Sequence, residues 1–206
     1  MADAQSPSIP IPESALMSWL EPFLVSTGVV AIAEIGDKTQ LLAFVLAARF
    51  KKPWAVILGI LAATLANHLL AGVIGVTVSR WVDPHVMRWL LGLSFLAMAV
   101  WVLIPDHEPD AETKPARFGA FLTTAITFFL LEMGDKTQLA TVALSAKYQA
   151  LIAVTAGTTL GMMLADIPAV FIGDRLAGKL PLRLIHTLAA ALFALIGILV
   201  LCGIGS

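Results

Sequence analysis

The sequence predicts an all-α integral membrane protein with six transmembrane helices, arranged as two inverted three-helix repeats. Its composition is the first observation: 59% of the 206 residues are hydrophobic and 13% are charged, whereas soluble domains average about 25% charged residues. A polar motif that occurs twice within apolar segments is the second. The third is the unequal distribution of lysine and arginine between the predicted loops.

Six apolar segments are long enough to cross a bilayer, which takes about 20 residues. They are 22–48, 54–79, 86–104, 118–146, 150–173 and 183–203. Residues 1–21 form a polar, proline-containing leader without lysine or arginine, and 105–117 form the one extended hydrophilic loop. The chain is therefore predicted to consist of a first three-helix repeat over 1–104, which includes the leader, and a second repeat over 118–206.

The two halves align without a gap at an offset of 98 positions. The string "EIGDKTQ" at 34–40 then falls on "EMGDKTQ" at 132–138, Gly59 falls on Gly157, and Phe95 falls on Phe193. Chance recurrence of one polar string at matching places in two apolar segments is very improbable, so the halves are predicted to be internal repeats.

Basic residues are divided unequally between the two sets of predicted loops. One set holds Arg49, Lys51, Lys52, Lys114, Arg117, Arg175, Lys179 and Arg183, and the other holds only Arg80, Arg88 and Lys147. Because cytoplasmic loops carry the excess of basic residues, the 105–117 loop is predicted to be cytoplasmic and both termini to lie outside. Three spans per half make the second half enter from the opposite side, as in the inverted repeats of many secondary transporters.

Each motif places three charges inside a predicted span. One charge at the bilayer centre costs at least about 2.5–3.5 kcal/mol, so these residues should face the protein interior. On a straight helix one face carries Glu34, Asp37, Lys38 and Leu41, and the equivalent face carries Glu132, Asp135, Lys136 and Leu139. If the motifs face each other, four carboxylates and two lysines leave two negative charges, which match one divalent cation. Oxygen ligands suit hard cations such as Ca²⁺, Mg²⁺ and Mn²⁺.

Further polar residues could support such a site. Gly36 and Gly134 can unwind the helix, which would let Thr39, Gln40, Thr137 and Gln138 join the site. Asn67 and His68 lie in the second span, and Asp166 and Pro168 lie in the fifth, where Pro168 could kink or break the helix. Asp166 is predicted to be an additional ligand or a proton-coupling group, whereas its repeat equivalent His68 fits a direct role or an interhelical hydrogen bond equally well.

The same residues are compatible with several other functions. Structural ion pairs between Glu34 and Lys38, and between Glu132 and Lys136, would stabilise helix packing. They would not explain why the aspartates occur in both motifs. A passive cation channel would use the same carboxylates. Asp37 and Asp135 could form the dyad of an intramembrane aspartyl protease, but the lysine after each would disturb proton sharing, so we expect no enzyme. A net charge of -1 disfavours nucleic acid, and nothing indicates an organic cofactor.

The strings "EIGDKT" and "EMGDKT" resemble the E-x-G-D-[KR]-[TS] signature of the Gcr-dependent translation factor family, whose members are membrane cation exchangers. The resemblance covers nearly the whole chain. It implies export of Mn²⁺ and/or Ca²⁺ from the cytoplasm in exchange for protons, with Glu34, Asp37, Glu132 and Asp135 as the cation site. An exchanger for Ca²⁺ alone and coupling to Na⁺ stay open. The absence of a long N-terminal targeting extension makes us expect the bacterial inner-membrane form.

Overall fold

The computed structural model describes residues 13–104, 118–176 and 182–204, which contain eight α-helices and no β-strand. The helices are α1 (Glu13–Glu34), α2 (Lys38–Phe50), α3 (Pro53–Trp81), α4 (Pro84–Trp101), α5 (Ala120–Glu132), α6 (Lys136–Tyr148), α7 (Leu151–Leu176) and α8 (Leu182–Leu201). The prediction of an all-helical protein is confirmed. The predicted leader residues 1–12 and the 105–117 loop, with Lys114 and Arg117, lie outside the described residues, as does Lys179.

A turn interrupts the helix at each copy of the motif, so the predicted segments 22–48 and 118–146 are each two helices. Gly36 and Gly134 have φ angles of 85° and 81°, a left-handed conformation that glycine adopts without steric cost. The face predicted for a straight helix is therefore wrong. Leu41 and Leu139 do not share the buried side of the acidic residues, because 41% and 44% of their surfaces are exposed.

Two predicted boundaries also differ from the structure. α1 begins at Glu13 and passes through Pro22, so part of the predicted leader is helical. α7 continues through Pro168, which therefore does not break the helix. Proline is tolerated within membrane helices where neighbouring groups satisfy the backbone, and the Gln40 side-chain amide donates to the Ala165 carbonyl in this stretch, at 2.9 Å.

Three helical segments among the described residues are long and apolar enough to cross a membrane: Pro53–Trp81, Leu151–Phe171 and Arg183–Leu201. Ala120–Glu132 is apolar but shorter. The remaining predicted crossings are the two interrupted segments and α4. The count of six spans and the inverted order of the repeats therefore stay predictions.

Glycines bring the long helix of each half against the first helix of the other half. A methyl group added at Gly157 on α7 would lie 2.4 Å from the Phe23 carbonyl oxygen on α1, and one added at Gly59 on α3 would lie 2.7 Å from that of Phe121 on α5. These two contacts are equivalent under the 98-residue offset. Only residues without a side chain permit so close an approach, which explains why the glycines recur in both halves.

Candidate cation-binding site

The two motif turns meet in the protein interior. One carboxylate oxygen from each of Glu34, Asp37 and Asp135 lies within 4.8 Å of the other two. All three side chains are buried, as is Glu132, which lies within electrostatic range of Glu34. We call these four residues the carboxylate cluster. The structure thus brings together the four acidic residues that the sequence predicts to form one site.

Each motif lysine pairs with the aspartate of the other motif. Lys38 Nζ lies 2.9 Å from Asp135 Oδ1, and Lys136 Nζ lies 2.6 Å from Asp37 Oδ1. Glu34 ends α1 and Lys38 begins α2, so the two residues do not belong to one continuous helix. The lysines therefore connect the two halves of the protein. The alternative interpretation predicted ion pairs within one helix instead.

Both aspartates of the cluster stand at the start of a helix. Asp37 and Asp135 are the N-cap residues of α2 and α6, with nearly identical backbone angles, and their side chains do not cap the first turn. Their amides instead donate to the carbonyls of Glu34 and Glu132, at 3.0 and 3.1 Å. The positive end of a helix dipole favours a nearby carboxylate, so the position of the turn stabilises these buried negative charges.

Threonine hydroxyls orient the two glutamates. Thr39 Oγ1 donates a hydrogen bond to Glu34 Oε1, and Thr137 Oγ1 lies 3.3 Å from Glu132 Oε2. Both threonines are buried. The second carboxylate oxygen of each glutamate has no hydrogen-bond partner among the described residues. Each glutamate thus has one oxygen held by the protein and one available to a ligand.

The motif glutamines hold each turn against the long helix of the other half. Gln40 and Gln138 accept hydrogen bonds from the amides of Gly36 and Gly134, at 3.0 and 2.7 Å. Gln40 donates to Ala165 on α7, and Gln138 donates to Asn67 on α3, at 3.0 Å. Ala165 and Asn67 are equivalent positions in the repeat, so the two glutamines make matching contacts.

Asp166 and His68 are both fully buried. Within the described ranges, neither carboxylate oxygen of Asp166 and neither ring nitrogen of His68 has a hydrogen-bond partner. Asp166 lies within electrostatic range of Glu34, Glu132 and Asp37. Asp166 is thus a fifth acidic residue beside the cluster. Asn67 also donates to the Phe129 carbonyl, at 3.0 Å.

Two buried hydroxyl groups on the helices that end at the motif glutamates were not predicted from the sequence. Ser26 and Thr124 are fully buried, and their hydroxyls have no hydrogen-bond partner in the described part of the chain. Each stands eight residues before a motif glutamate, which is about two helical turns and the same helix face. Their signal in the sequence is the recurrence of a hydroxyl residue at the 98-residue offset.

Comparison with known proteins finds relatives that match most of the chain. A protein from Vibrio cholerae serotype O1 named "Putative manganese exporter" is 48% identical over 190 residues, which cover 92% of this chain and 93% of the relative. A GDT1-like protein of Synechocystis is 26% identical and covers 87% of this chain and 96% of the relative. GDT1-like protein 3 of rice is 28% identical and covers 84% and 71%. No solved structure is significantly similar to the chain.

The family model described as "Divalent cation/proton antiporter GDT1" matches residues 22–110 and 120–204. These two ranges contain both motif turns and nearly all the described helices. The family is one of membrane transporters. The chain therefore belongs to the GDT1 family of cation transporters, as the duplicated motif predicts.

Proposed function

We propose that this protein exports Mn²⁺ from the cytoplasm in exchange for protons, and that the carboxylate cluster binds the ion. The observation that carries the proposal is the convergence of Glu34, Asp37 and Asp135, whose oxygens lie within 4.8 Å of one another in a buried region. The family description, which includes both divalent cations and protons, supports it. The name of the Vibrio relative supports manganese in particular.

The donor atoms of the cluster favour a hard divalent cation. Carboxylate oxygens suit Mn²⁺ and Ca²⁺, whereas zinc and copper prefer nitrogen or sulfur ligands. The four carboxylates and the two lysines leave two negative charges in excess, which one divalent ion would neutralise. Ca²⁺ fits the same oxygens and is therefore proposed as a second substrate.

Exchange with protons follows from competition for the same oxygens. A carboxylate that coordinates a metal ion must be deprotonated, so metal binding releases protons and protonation releases the metal. Asp166 lies close enough to act electrostatically on the cluster. We propose that Asp166 serves as an additional ligand or proton-coupling group, and that His68, its repeat equivalent, has a smaller role.

The contacts of α7 support an inverted arrangement of the halves. α1 and α7 are parallel. Phe23 packs against Gly157 and the later Thr27 packs against the later Gly161, so residue numbers increase in the same direction along both helices. α3 runs against α7, because Trp54 near its start contacts Phe171, whereas the later Gly72 lies at Leu151. α1 and α3 therefore point in opposite directions.

The contacts of α3 complete the argument for inversion. Gly59 lies at Thr124 on α5, and Gly75 lies at Ser145 on α6, so α3 runs along α5 and α6 in the same direction. The segment with the second motif therefore points opposite to α1. Such an inversion is common in secondary transporters, where the substrate site lies at the repeat interface near the middle of the bilayer.

The orientation of the protein sets the direction of transport. The excess of basic residues in one set of loops supports a cytoplasmic position for these loops and an outside position for both termini. In a bacterial inner membrane, protons would then enter along their gradient while the metal leaves. We propose no proteolytic role for Asp37 and Asp135, since each pairs with a lysine.

Flux measurements in inverted membrane vesicles test the proposal. We expect Mn²⁺ to accumulate in vesicles that contain the wild-type protein when their interior is acidic, and the accumulation to stop when the pH gradient is collapsed. Glu34→Gln should abolish accumulation, because it removes a charge and a ligand from the cluster. Glu21→Gln is the matched control, since Glu21 is exposed on the same helix and lies outside the cluster.

Other outcomes of the flux experiment would support the alternatives. Accumulation driven by an imposed Na⁺ gradient in place of the pH gradient would indicate sodium coupling. Mn²⁺ movement that only follows its own gradient would indicate a channel. Equal accumulation by Glu34→Gln and by the wild-type protein would contradict a role of the cluster in transport.

A further inference from the structure

We infer that Lys38 and Lys136 act as tethered competitor cations, which make the cluster selective for divalent over monovalent ions. The inference rests on the proposed function, because it assumes that the carboxylate cluster binds the transported cation. It assigns to the two lysines a role in specificity and not in coordination.

The geometry of the two ion pairs carries the inference. The distances from Nζ to the aspartate oxygens are 2.9 and 2.6 Å, which are typical of charge-assisted hydrogen bonds. A lysine ammonium is a compact single positive charge on a flexible chain. In each pair this charge contacts an aspartate of the cluster, at one of the two carboxylate oxygens through which that aspartate could bind a cation.

The covalent attachment of each ammonium group to the chain determines which ions can displace it. A group attached to the protein competes as an intramolecular ligand, at an effective concentration that reaches the millimolar range or above. A sodium or potassium ion carries the same charge as the ammonium and gains no additional Coulomb attraction. A divalent ion carries twice that charge, and the attraction grows in proportion, so it can compete.

The two lysines differ in their access to the surroundings. The Lys38 side chain is 22% exposed, whereas that of Lys136 is 2% exposed. Charges interact more strongly where water is absent. The Lys136 ammonium should therefore repel an entering cation more strongly, and its neutralisation should have the larger effect on affinity.

Competition binding tests the inference on the purified full-length chain. Free Mn²⁺ would be measured by its electron paramagnetic resonance signal, first in choline chloride and then in NaCl or KCl of equal ionic strength. We expect the wild-type affinity for Mn²⁺ to be the same in all three salts. Lys136→Gln should bind Mn²⁺ about tenfold more tightly in choline chloride, equivalent to about 1.4 kcal/mol, and should lose that gain in NaCl and KCl.

Matched variants separate charge from shape. Lys136→Arg keeps the charge and should keep the selectivity of the wild-type protein. Lys51→Gln removes a lysine from an exposed position outside the cluster and should change nothing. Glutamine fits the backbone conformation at position 51, because Lys51 and its repeat equivalent Gln149 both have a φ of 51°. If Lys136→Gln does not fold, Lys38→Gln gives the same test, since its partly exposed side chain is less involved in packing.

The outcomes distinguish the inference from the function on which it rests. Competition by Na⁺ or K⁺ in the wild-type protein would overturn the inference, and so would glutamine variants that keep wild-type affinity and selectivity. Failure of the wild-type protein to bind Mn²⁺ or Ca²⁺ would contradict the proposed function instead.

Discussion

Single hydroxyl groups set the geometry of the buried glutamates. Thr39 supplies the hydrogen bond to Glu34 Oε1, and Thr137 supplies the equivalent contact to Glu132. A buried carboxylate depends on such donors, because a buried polar group without a partner costs about 1–3 kcal/mol. The two threonines therefore help to position the glutamates of the candidate site.

We expect Thr39→Val to destabilise the protein and to weaken Mn²⁺ binding. Valine matches the shape of threonine but removes the donor to Glu34, so the loss of about 1–3 kcal/mol should lower the melting temperature by roughly 2–4 °C for each kcal/mol. Thermal unfolding of the metal-free protein would measure it. Thr187→Val is the control, since Thr187 is exposed and bonds only to the Arg183 carbonyl of its own helix. Equal melting temperatures for the two variants would contradict this role of Thr39.

The residues of the candidate site could be predicted as a group, but the contacts between them could not. A charged motif that occurs twice in apolar segments indicates these carboxylates, because charged side chains within a membrane span cannot face water and must face the protein interior. The pairing of Lys38 with Asp135 and of Lys136 with Asp37 depends on how the halves pack. A single sequence read with one helical period does not contain that information.

At the scale of helices, the main feature is the interruption of α1–α2 and of α5–α6 at the glycine of the motif. The turn places the C-terminal end of one helix and the N-terminal end of the next beside the cluster. It also lets Thr39 and Gln40 bond back across the turn, to Glu34 and Gly36. On a straight helix, these side chains would point away from the glutamate.

The glycine contacts between helices give a prediction for stability. Gly157→Ala should lower the melting temperature, because the added methyl group would lie 2.4 Å from the Phe23 carbonyl oxygen and would force α1 and α7 apart. Gly28→Ala is the matched control on α1, where nothing lies within 4 Å, and alanine is the better helix former by roughly 1 kcal/mol. Its melting temperature should be unchanged or higher. A Gly157→Ala protein as stable as the control would show that this close approach is not needed.

Helix positions were predicted better than helix ends. The apolar segments contain the helices, but the prolines misled the prediction, since α1 passes through Pro22 and α7 passes through Pro168. Proline removes one backbone donor, and a neighbouring side chain such as that of Gln40 satisfies a nearby carbonyl. That compensation comes from another part of the chain, so no local pattern reveals it.

At the scale of the whole molecule, the two halves are similar but not identical. The motif, the glycine contacts and the glutamine contacts recur in both halves. The residue types differ at two aligned positions, where His68 corresponds to Asp166 and Asn67 corresponds to Ala165. The offset of 98 residues made the repeat predictable. The packing, in which the first helix of each half lies against the long helix of the other half, is seen only in the contacts between α1 and α7 and between α3 and α5.

The central prediction for this protein is that both motifs form one cation site. The most direct test is the number of Mn²⁺ ions bound per chain, measured by equilibrium binding to the purified wild-type protein and to Glu34→Gln and Glu132→Gln. One shared site predicts one ion for the wild-type protein and a severe loss of binding in either variant. Two ions for the wild-type protein, with one retained in each variant, would contradict a shared site and would assign a separate ion to each motif.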